Sequence, residues 1–345
     1  MKVAIITDQH FGVKKSDKSY HNYFKKFYDN IFFPTLEERG ITQLVDMGDT
    51  FDNRKNIDIW ALKWSKDNYY NRLSQIGVQV HTIVGNHTAY YKNTNAVNSV
   101  DLLMREYDNI QVYSEITEVL IDKLKILFVP WINSENTKDS IAKIKSSTCN
   151  VLMGHLELNG FSPYKGHTMT EGMNCDIFEN FKLVLSGHYH TRSDNGKIFY
   201  LGNPYQLYWN DVNDTRGFHI FDTKTLELEF IPNSYEMFKV IEYNDTPPQF
   251  YNYNECFEKY VKLIVKKKTN SKQFEKFFNK LSDASPFELK VIDEIKIEDC
   301  DIEVLESEGT VAILDKYIDN AEIDLNKSML KSMMESIYKE ASEVE

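Results

Sequence analysis

The run Leu183-Val184-Leu185-Ser186-Gly187-His188-Tyr189-His190 decides how this chain is read: an apolar stretch that ends in two histidines spaced by two. A short apolar run bounded by glycine reads as a strand covered on both faces. In extended backbone alternate side chains share a face, so His188 and His190 are expected to project together from the strand end, as metal ligands would. Four other apolar runs end in ligand-type residues. Residues 2 to 7 deliver Asp8-Gln9-His10-Phe11-Gly12, and Ile41 to Met47 delivers Gly48-Asp49-Thr50-Phe51-Asp52. Val78 to Val84 runs into Gly85-Asn86-His87-Thr88, and Asn150 to Met153 into Gly154-His155-Leu156-Glu157.

Five of the nine histidines fall at these strand ends, which random scatter would not produce. Carboxylate, amide and imidazole groups without thiolate favour Mn²⁺, Fe²⁺, Zn²⁺ or Mg²⁺. One carboxylate can bridge two such ions about 3.5 to 4 Å apart, an arrangement that activates water and clamps both oxygens of an in-line phosphoryl displacement. His21, His81, His167 and His219 match no strand-end position and read as structural. Cys149, Cys175, Cys256 and Cys300 are far apart and form no Cys-x-x-Cys pair, so they read as reduced thiols without a role.

Helical patterns at 20–39 and 60–76 separate the first three strands, and this alternation predicts an α/β fold with its site at the carboxyl ends of the strands. Shorter strands are expected at 119–121, 126–131 and 197–201, a helix at 137–145, and a hairpin from 217–221 and 225–231. Beyond Pro232-Asn233-Ser234, strands at 237–243, 261–266 and 287–295 and a helix at 271–281 suffice for a small α+β domain. The expected division is therefore a main domain 1–234, a cap 235–296, an acidic linker 297–310 and a helical segment 311–345. In the last, Met329, Leu330, Met333, Met334, Ile337 and Tyr338 recur at helical spacing, as in a docking face.

The formal net charge of -12 is unevenly placed. Of 52 acidic and 40 basic residues, 16 and 5 lie from Asp293 onward, which leaves 36 and 35 in a nearly neutral body. Two bound divalent cations would make its active face positive, and Lys14-Lys15, Arg54-Lys55 and Lys266-Lys267-Lys268 then join the choice between phosphate contact and plain solvated surface. No stretch approaches the roughly 20 apolar residues of a membrane span, and the amino-terminal run is short for a signal peptide. The expectation is a cytoplasmic protein without a membrane partner.

In this order, Asp-x-His, Gly-Asp, Gly-Asn-His, Gly-His and Gly-His-x-His, the chain resembles the calcineurin-like metallophosphoesterase superfamily over roughly residues 1 to 220. Gly48 to Asp52, Gly154 to Phe161 and the C-terminal layout resemble the SbcD-type DNA-repair exonuclease subunits, among them the recombination-nuclease subunits of T-even-like phages. The resemblance implies a core of two packed mixed β-sheets flanked by helices, a small α+β cap and a C-terminal helical segment. It implies two divalent ions, Mn²⁺ first and Mg²⁺ second, with Asp8, His10 and His190 on one, Asn86, His155 and His188 on the other, and Asp49 bridging. His87 would be the catalytic residue facing the leaving oxygen. The family usually has an acidic residue directly after that histidine to orient it, whereas here stands Thr88, whose hydroxyl would hold the ring less firmly.

The implied function is a metal-dependent DNA nuclease, exo- and endonucleolytic, in a double-strand-break repair and recombination complex. Its implied partners are DNA, an SMC-like ATPase docked by the C-terminal helices, and a second copy of the chain. Two readings stand beside it: a metallophosphatase acting on small phosphoesters or phosphoproteins, and a catalytically weakened scaffold. Arg54 and Arg192, close to the motifs, are open between phosphate binding and pairing with acids.

Overall fold

Each central strand of this chain is apolar on both faces because it lies between two layers, and its alternate residues enter two different cores. In chain order the strands are β1 (Lys2–Ile6), β2 (Gln43–Asp46), β3 (Gln79–Ile83), β4 (Ala89–Tyr91), β5 (Thr94–Asn98), β6 (Ile110–Tyr113), β7 (Thr117–Ile121), β8 (Leu124–Val129) and β9 (Val151–His155). They continue as β10 (Leu183–Gly187), β11 (Ser193–Asp194), β12 (Ile198–Tyr200), β13 (Gly217–Asp222), β14 (Leu228–Pro232), β15 (Phe238–Asn244), β16 (Tyr260–Lys267) and β17 (Glu288–Asp293). The structure, a computed structural model, describes residues 1–164 and 166–293, together with Ile318, Lys327, Ser328, Leu330, Lys331 and Met334.

Two six-stranded sheets, ordered β14-β13-β1-β2-β3-β6 and β11-β12-β10-β9-β8-β7, make the body. β1, β2, β3 and β6 are parallel, and so are β8, β9, β10 and β12. The flanking strands β13, β14, β7 and β11 pair antiparallel, so both sheets are mixed. Val3, Ile5, Val45, Met47, Val151, Met153, Leu183 and Leu185 fill the space between the sheets. Their neighbours Ala4, Ile6 and Leu44 face an outer core with the helices, and Leu152 and Val184 face another. That period of two is the pleat itself.

The helix expected at 20–39 has that extent but not that regularity: Lys18–Phe27 passes through a widened turn, Tyr28–Phe32, into Phe33–Glu38. Pro34 has no N–H to give to the carbonyl four residues back, and the widened turn falls just before it. Phe24, Phe27, Tyr28, Phe32 and Phe33 of this helix are buried in the outer core. The hairpin β4–β5 and the four-residue strand β6 were not expected from the sequence. The hairpin is short and closed by a polar turn, and β6 has only four residues, so no sustained period marks them.

β15, β16 and β17 form a third, all-parallel sheet, with the helix Ser271–Asp283 between β16 and β17 capped by the Asn270 side chain. It has its own core of Ile241, Tyr243, Val261, Leu263, Phe277 and Leu281. At its base Phe238 and Tyr260 pack into the large outer core, and Gln206 Oε1 accepts from Met237 N at 2.7 Å and Phe238 N at 3.0 Å. Met1–Asp293 form one compact unit. The expected linker 297–310 and, six single positions apart, the segment 311–345 lie outside the described residues. Among the described residues no helix is long and apolar enough to cross a membrane.

Candidate metal centre

The parallel strands of both sheets end at one edge of the body, and the side chains singled out above meet there. Their presentation differs from the extended geometry expected of them. β1 stops at Ile6 and β10 at Gly187, and Asp8, His10, Asp49 and His188 have φ of 52°, 49°, 52° and 83°. Such left-handed backbone costs a non-glycine residue roughly 1–2 kcal/mol. It is held here by hydrogen bonds that zip two loops together: Asp8 N to Gly48 O at 2.9 Å, His10 N to Asp49 O at 3.0 Å and Phe11 N to Thr50 O at 2.8 Å. As a result His188 and His190 do not project to one point.

Asn86 Oδ1 lies 2.9 Å from both His155 Nε2 and His188 Nδ1, and Asp49 Oδ2 lies 3.1 Å from His155 Nε2. Across the centre, His10 Nε2 and His190 Nε2 are 3.1 Å apart, and Asp8 Oδ1 is 4.0 Å from His10 Nε2. Asp8, His10 and His190 form one group able to hold an ion, and Asp49, His155 and His188 another. His155 donates from Nδ1 to Met47 O at 2.9 Å, so in the neutral ring the Nε2 lone pair points at two oxygen acceptors. Acceptor against acceptor in a buried site is costly unless a proton or a cation lies between. The oxygen and imidazole donor set fits a divalent metal.

The charges agree. Burial alone would raise Asp49, yet the neighbouring His155 imidazole holds its carboxyl well below the usual carboxylate range. Burial works against a charge on His155, but Asp49 and then Asp8 push it up to about 9. Desolvation and then the facing His155 push half-buried His188 down to about 3. Thus a proton shared by Asp49 and His155 and a metal ion would compete for one place.

Asp8 Oδ2 accepts from Thr7 Oγ1 at 2.6 Å and from His188 N at 3.0 Å. Gly85 and Gly187 allow the loops to close this tightly: a Cβ on Gly85 would meet the Asp49 carboxylate, and one on Gly187 the Thr7 hydroxyl. Below the loops, buried Asp46 accepts from Gln9 Nε2 and Thr50 Oγ1, each at 2.9 Å, which ties β2 to the residue between Asp8 and His10.

His87 is half-buried beside His10, ring centroids 4.9 Å apart. Its N–H donates to Asp49 Oδ1 at 2.7 Å, and its Nδ1 donates to Asp52 O at 2.6 Å. The expectation that residue 88 orients this ring is corrected. Thr88 is 1% exposed, and its hydroxyl accepts from Gly85 N and donates to Gly85 O, both at 3.1 Å, closing the 85–88 turn. A backbone carbonyl does the work that the sequence led one to seek in a side chain.

Two residues of the site had been given no role. Asp52 places Oδ1 3.2 Å from His10 Nδ1, off the N–H axis; it stands three places after Asp49, a spacing that marked the motif without assigning it. Arg216, 3% exposed, donates to His190 O and Asn203 Oδ1, and pairs with Asp211 Oδ1 at 2.7 Å and Asp214 Oδ2 at 3.0 Å. No local signal connects it with a histidine 26 residues away. Arg192 lies over the Phe230 ring at 3.5 Å. Arg54 is half-buried with Nη1 unpartnered; burial pulls its guanidinium below the usual range and Asp49 partly opposes this. His21 accepts from Gly12 N, His81 contacts Tyr113 and Gln43, His167 stacks on Tyr164 and His219 packs on Phe230.

Fold and site define a calcineurin-like phosphoesterase: the sequence profile of that family matches residues 1–192, and the chain belongs to it. Among individual proteins, it is 32% identical over 352 residues to exonuclease subunit 1 of Enterobacteria phage T4, an alignment covering 99% of this chain and 100% of that one. Similar solved structures include an archaeal phosphodiesterase, 14% identical with a TM-score of 0.37, covering 68% of this chain and 100% of the other. Another is a dimetal phosphatase from Danio rerio, 11% identical with a TM-score of 0.38, covering 68% and 99%.

Proposed function

We propose that the chain is a metal-dependent DNA nuclease subunit that hydrolyses phosphodiesters at a two-ion centre, with Mn²⁺ the first choice of ion and Mg²⁺ the second. Asp8, His10 and His190 would hold one ion and Asn86, His155 and His188 the other, with Asp49 between them. One observation carries this reading: oxygen and ring-nitrogen atoms of these buried and half-buried residues converge at 2.9 to 3.1 Å, where a cation would satisfy them together. When bound, the ions would polarise the phosphodiester and supply hydroxide from water near neutral pH.

The chain's own groups do the rest. The His87 N–H fixes Asp49 Oδ1, so the Asp49 carboxylate keeps one orientation. His87 keeps one proton on Nδ1 against the Asp52 carbonyl, and in its cationic form would give the Nε2 proton to the leaving oxygen, general-acid work worth about 10²- to 10⁴-fold. Asp52, close to His10 Nδ1, favours the tautomer whose Nε2 faces the centre.

DNA as substrate is supported by the name of the phage relative, an exonuclease subunit, and by the motif resemblance. The word subunit in that name supports a partner chain; we assign it to an SMC-like ATPase docked by residues 311–345, with a second copy completing a homodimer. Residues 235–296 would cap the DNA, and the assembly would act in repair and recombination in the host-cell cytoplasm. The test is cleavage of end-labelled duplex and single-stranded DNA by the purified chain in Mn²⁺, Mg²⁺ or chelator, with and without the candidate ATPase. Cleavage that persists in chelator, or hydrolysis of phosphomonoesters alone, would overturn the proposal.

A further inference from the structure

We infer that Tyr208 and Lys14 form a nucleobase-binding subsite at the edge of the metal centre, where the base flanking the scissile phosphate stacks on the Tyr208 ring. The inference rests on the nuclease reading above. The Tyr208 ring lies nearly parallel to the His190 imidazole, at 8° with centroids 6.2 Å apart, yet the residue is 36% exposed. A tyrosine phenol, with an ordinary pKa of about 10, is neutral at working pH. A neutral, partly exposed aromatic ring therefore stands beside a half-buried imidazole of the centre.

Lys14 Nζ lies 4.9 Å from the centroid of this ring. The segment that presents it is unusual. Gly12, Lys14, Lys15 and Ser16 have φ of 96°, 54°, 56° and 62°, and three consecutive left-handed residues without glycine are rare. This turn is held by Val13 N to His10 O at 3.1 Å, Ser16 N to Gly12 O at 2.9 Å and Gly12 N to His21 Nε2 at 3.1 Å. Strain of this kind persists only where its surroundings over-determine it, and it collects at ligand-holding segments. Here it sets two exposed lysines, Lys14 and Lys15, one turn after His10.

A partly exposed aromatic ring with a mobile side-chain cation over it is the chemistry that binds nucleic-acid strands: every base has a π-face, and the ammonium pairs with a phosphate. A base arriving on the ring would displace Lys14 toward the backbone, where its charge is better matched. A small phosphomonoester would use neither group, so the subsite separates a nucleotide substrate from the other substrates of such a centre.

The experiment uses the full chain and two duplexes that differ only in the nucleotide flanking the cleaved phosphodiester, one with its natural base and one abasic. Initial rates in Mn²⁺ are compared within each variant, so differences in active fraction cancel. The wild type should cleave the base-bearing duplex about 10-fold faster, Tyr208→Phe should keep that ratio, and Tyr208→Ala should bring it within about twofold of one. In parallel, 2-aminopurine at the same position, bound in EDTA, should be quenched by wild type and Tyr208→Phe but not by Tyr208→Ala. A wild-type ratio near one, or an unchanged ratio and quench in Tyr208→Ala, would overturn the subsite while leaving the nuclease intact. No cleavage of either duplex under any metal condition, together with no quench, would overturn the nuclease reading itself.

Discussion

Replacing Arg216 by methionine tests how the fold holds His190 from behind. Arg216 and Asp211 are 3% and 2% exposed, and the guanidinium also reaches Asp214, Asn203 and the His190 carbonyl. Removing one partner of a buried pair typically costs about 3–5 kcal/mol, because the other charge is left uncompensated. Asp211 keeps two donors, Leu207 N at 2.7 Å and Tyr208 N at 3.0 Å, which places the loss near the lower end, about 3 kcal/mol. Burial already raises the Asp211 carboxyl and Arg216 counters it, so without Arg216 its folded pKa rises further above the unfolded value. The folded variant then binds more protons than the unfolded chain, and its stability increases as pH falls through that raised pKa. The assay is urea denaturation of wild type and variant at pH 8 and pH 5, with elemental analysis of the native proteins. The expected result is a deficit of about 3 kcal/mol at pH 8 that shrinks at pH 5, with metal retained less firmly than in the wild type. A deficit below about 1 kcal/mol, the range of exposed pairs, or one independent of pH, would refute the reasoning.

His87→Ala should keep its metal and lose activity by about 10²- to 10⁴-fold, whereas Asp49→Ala should lose both; metal content and single-turnover rates together decide this. Gly85→Ala sets a methyl group against the Asp49 carboxylate, and the purified variant should contain less than the full complement of metal by elemental analysis. Thr88→Asp should not raise turnover, because residue 88 bonds to Gly85 and not to His87; it should cost about 1–3 kcal/mol, since a carboxylate cannot donate to the Gly85 carbonyl. A faster enzyme with an extended alkaline limb would show that a side chain at 88 reaches the imidazole after all. His219 is buried and pushed down to about 3, so the unfolded chain binds its proton first and stability is lost as pH falls below about 6.5, by about 3 kcal/mol at pH 4.5. In urea titrations His219→Phe should show a smaller loss between pH 7.5 and pH 4.5, and an identical slope would place the acid sensitivity elsewhere.

The sequence by itself determined the α/β body and which strand-end side chains meet at one edge. Apolar runs such as Val3 to Ile6 and Leu183 to Leu185 fit only strands covered on both faces, and parallel strands must end at a common edge. A ligand-type residue after each run was therefore enough to bring Asp8, His10, Asp49, Asn86, His87, His155, His188 and His190 together. What only the tertiary structure decided is how each is held. Left-handed backbone at Asp8, His10, Asp49 and His188 turns neighbours in sequence toward different partners, which a pleat of period two cannot express. The support of His87 by the Asp52 carbonyl and of His190 by Arg216 is equally silent in the sequence: every residue has a carbonyl, and an arginine shows no local sign of the backbone atom it will meet. Contacts made by backbone atoms or across long separations depend on the closed packing of both sheets, and for that reason they could be read only once the chain was folded.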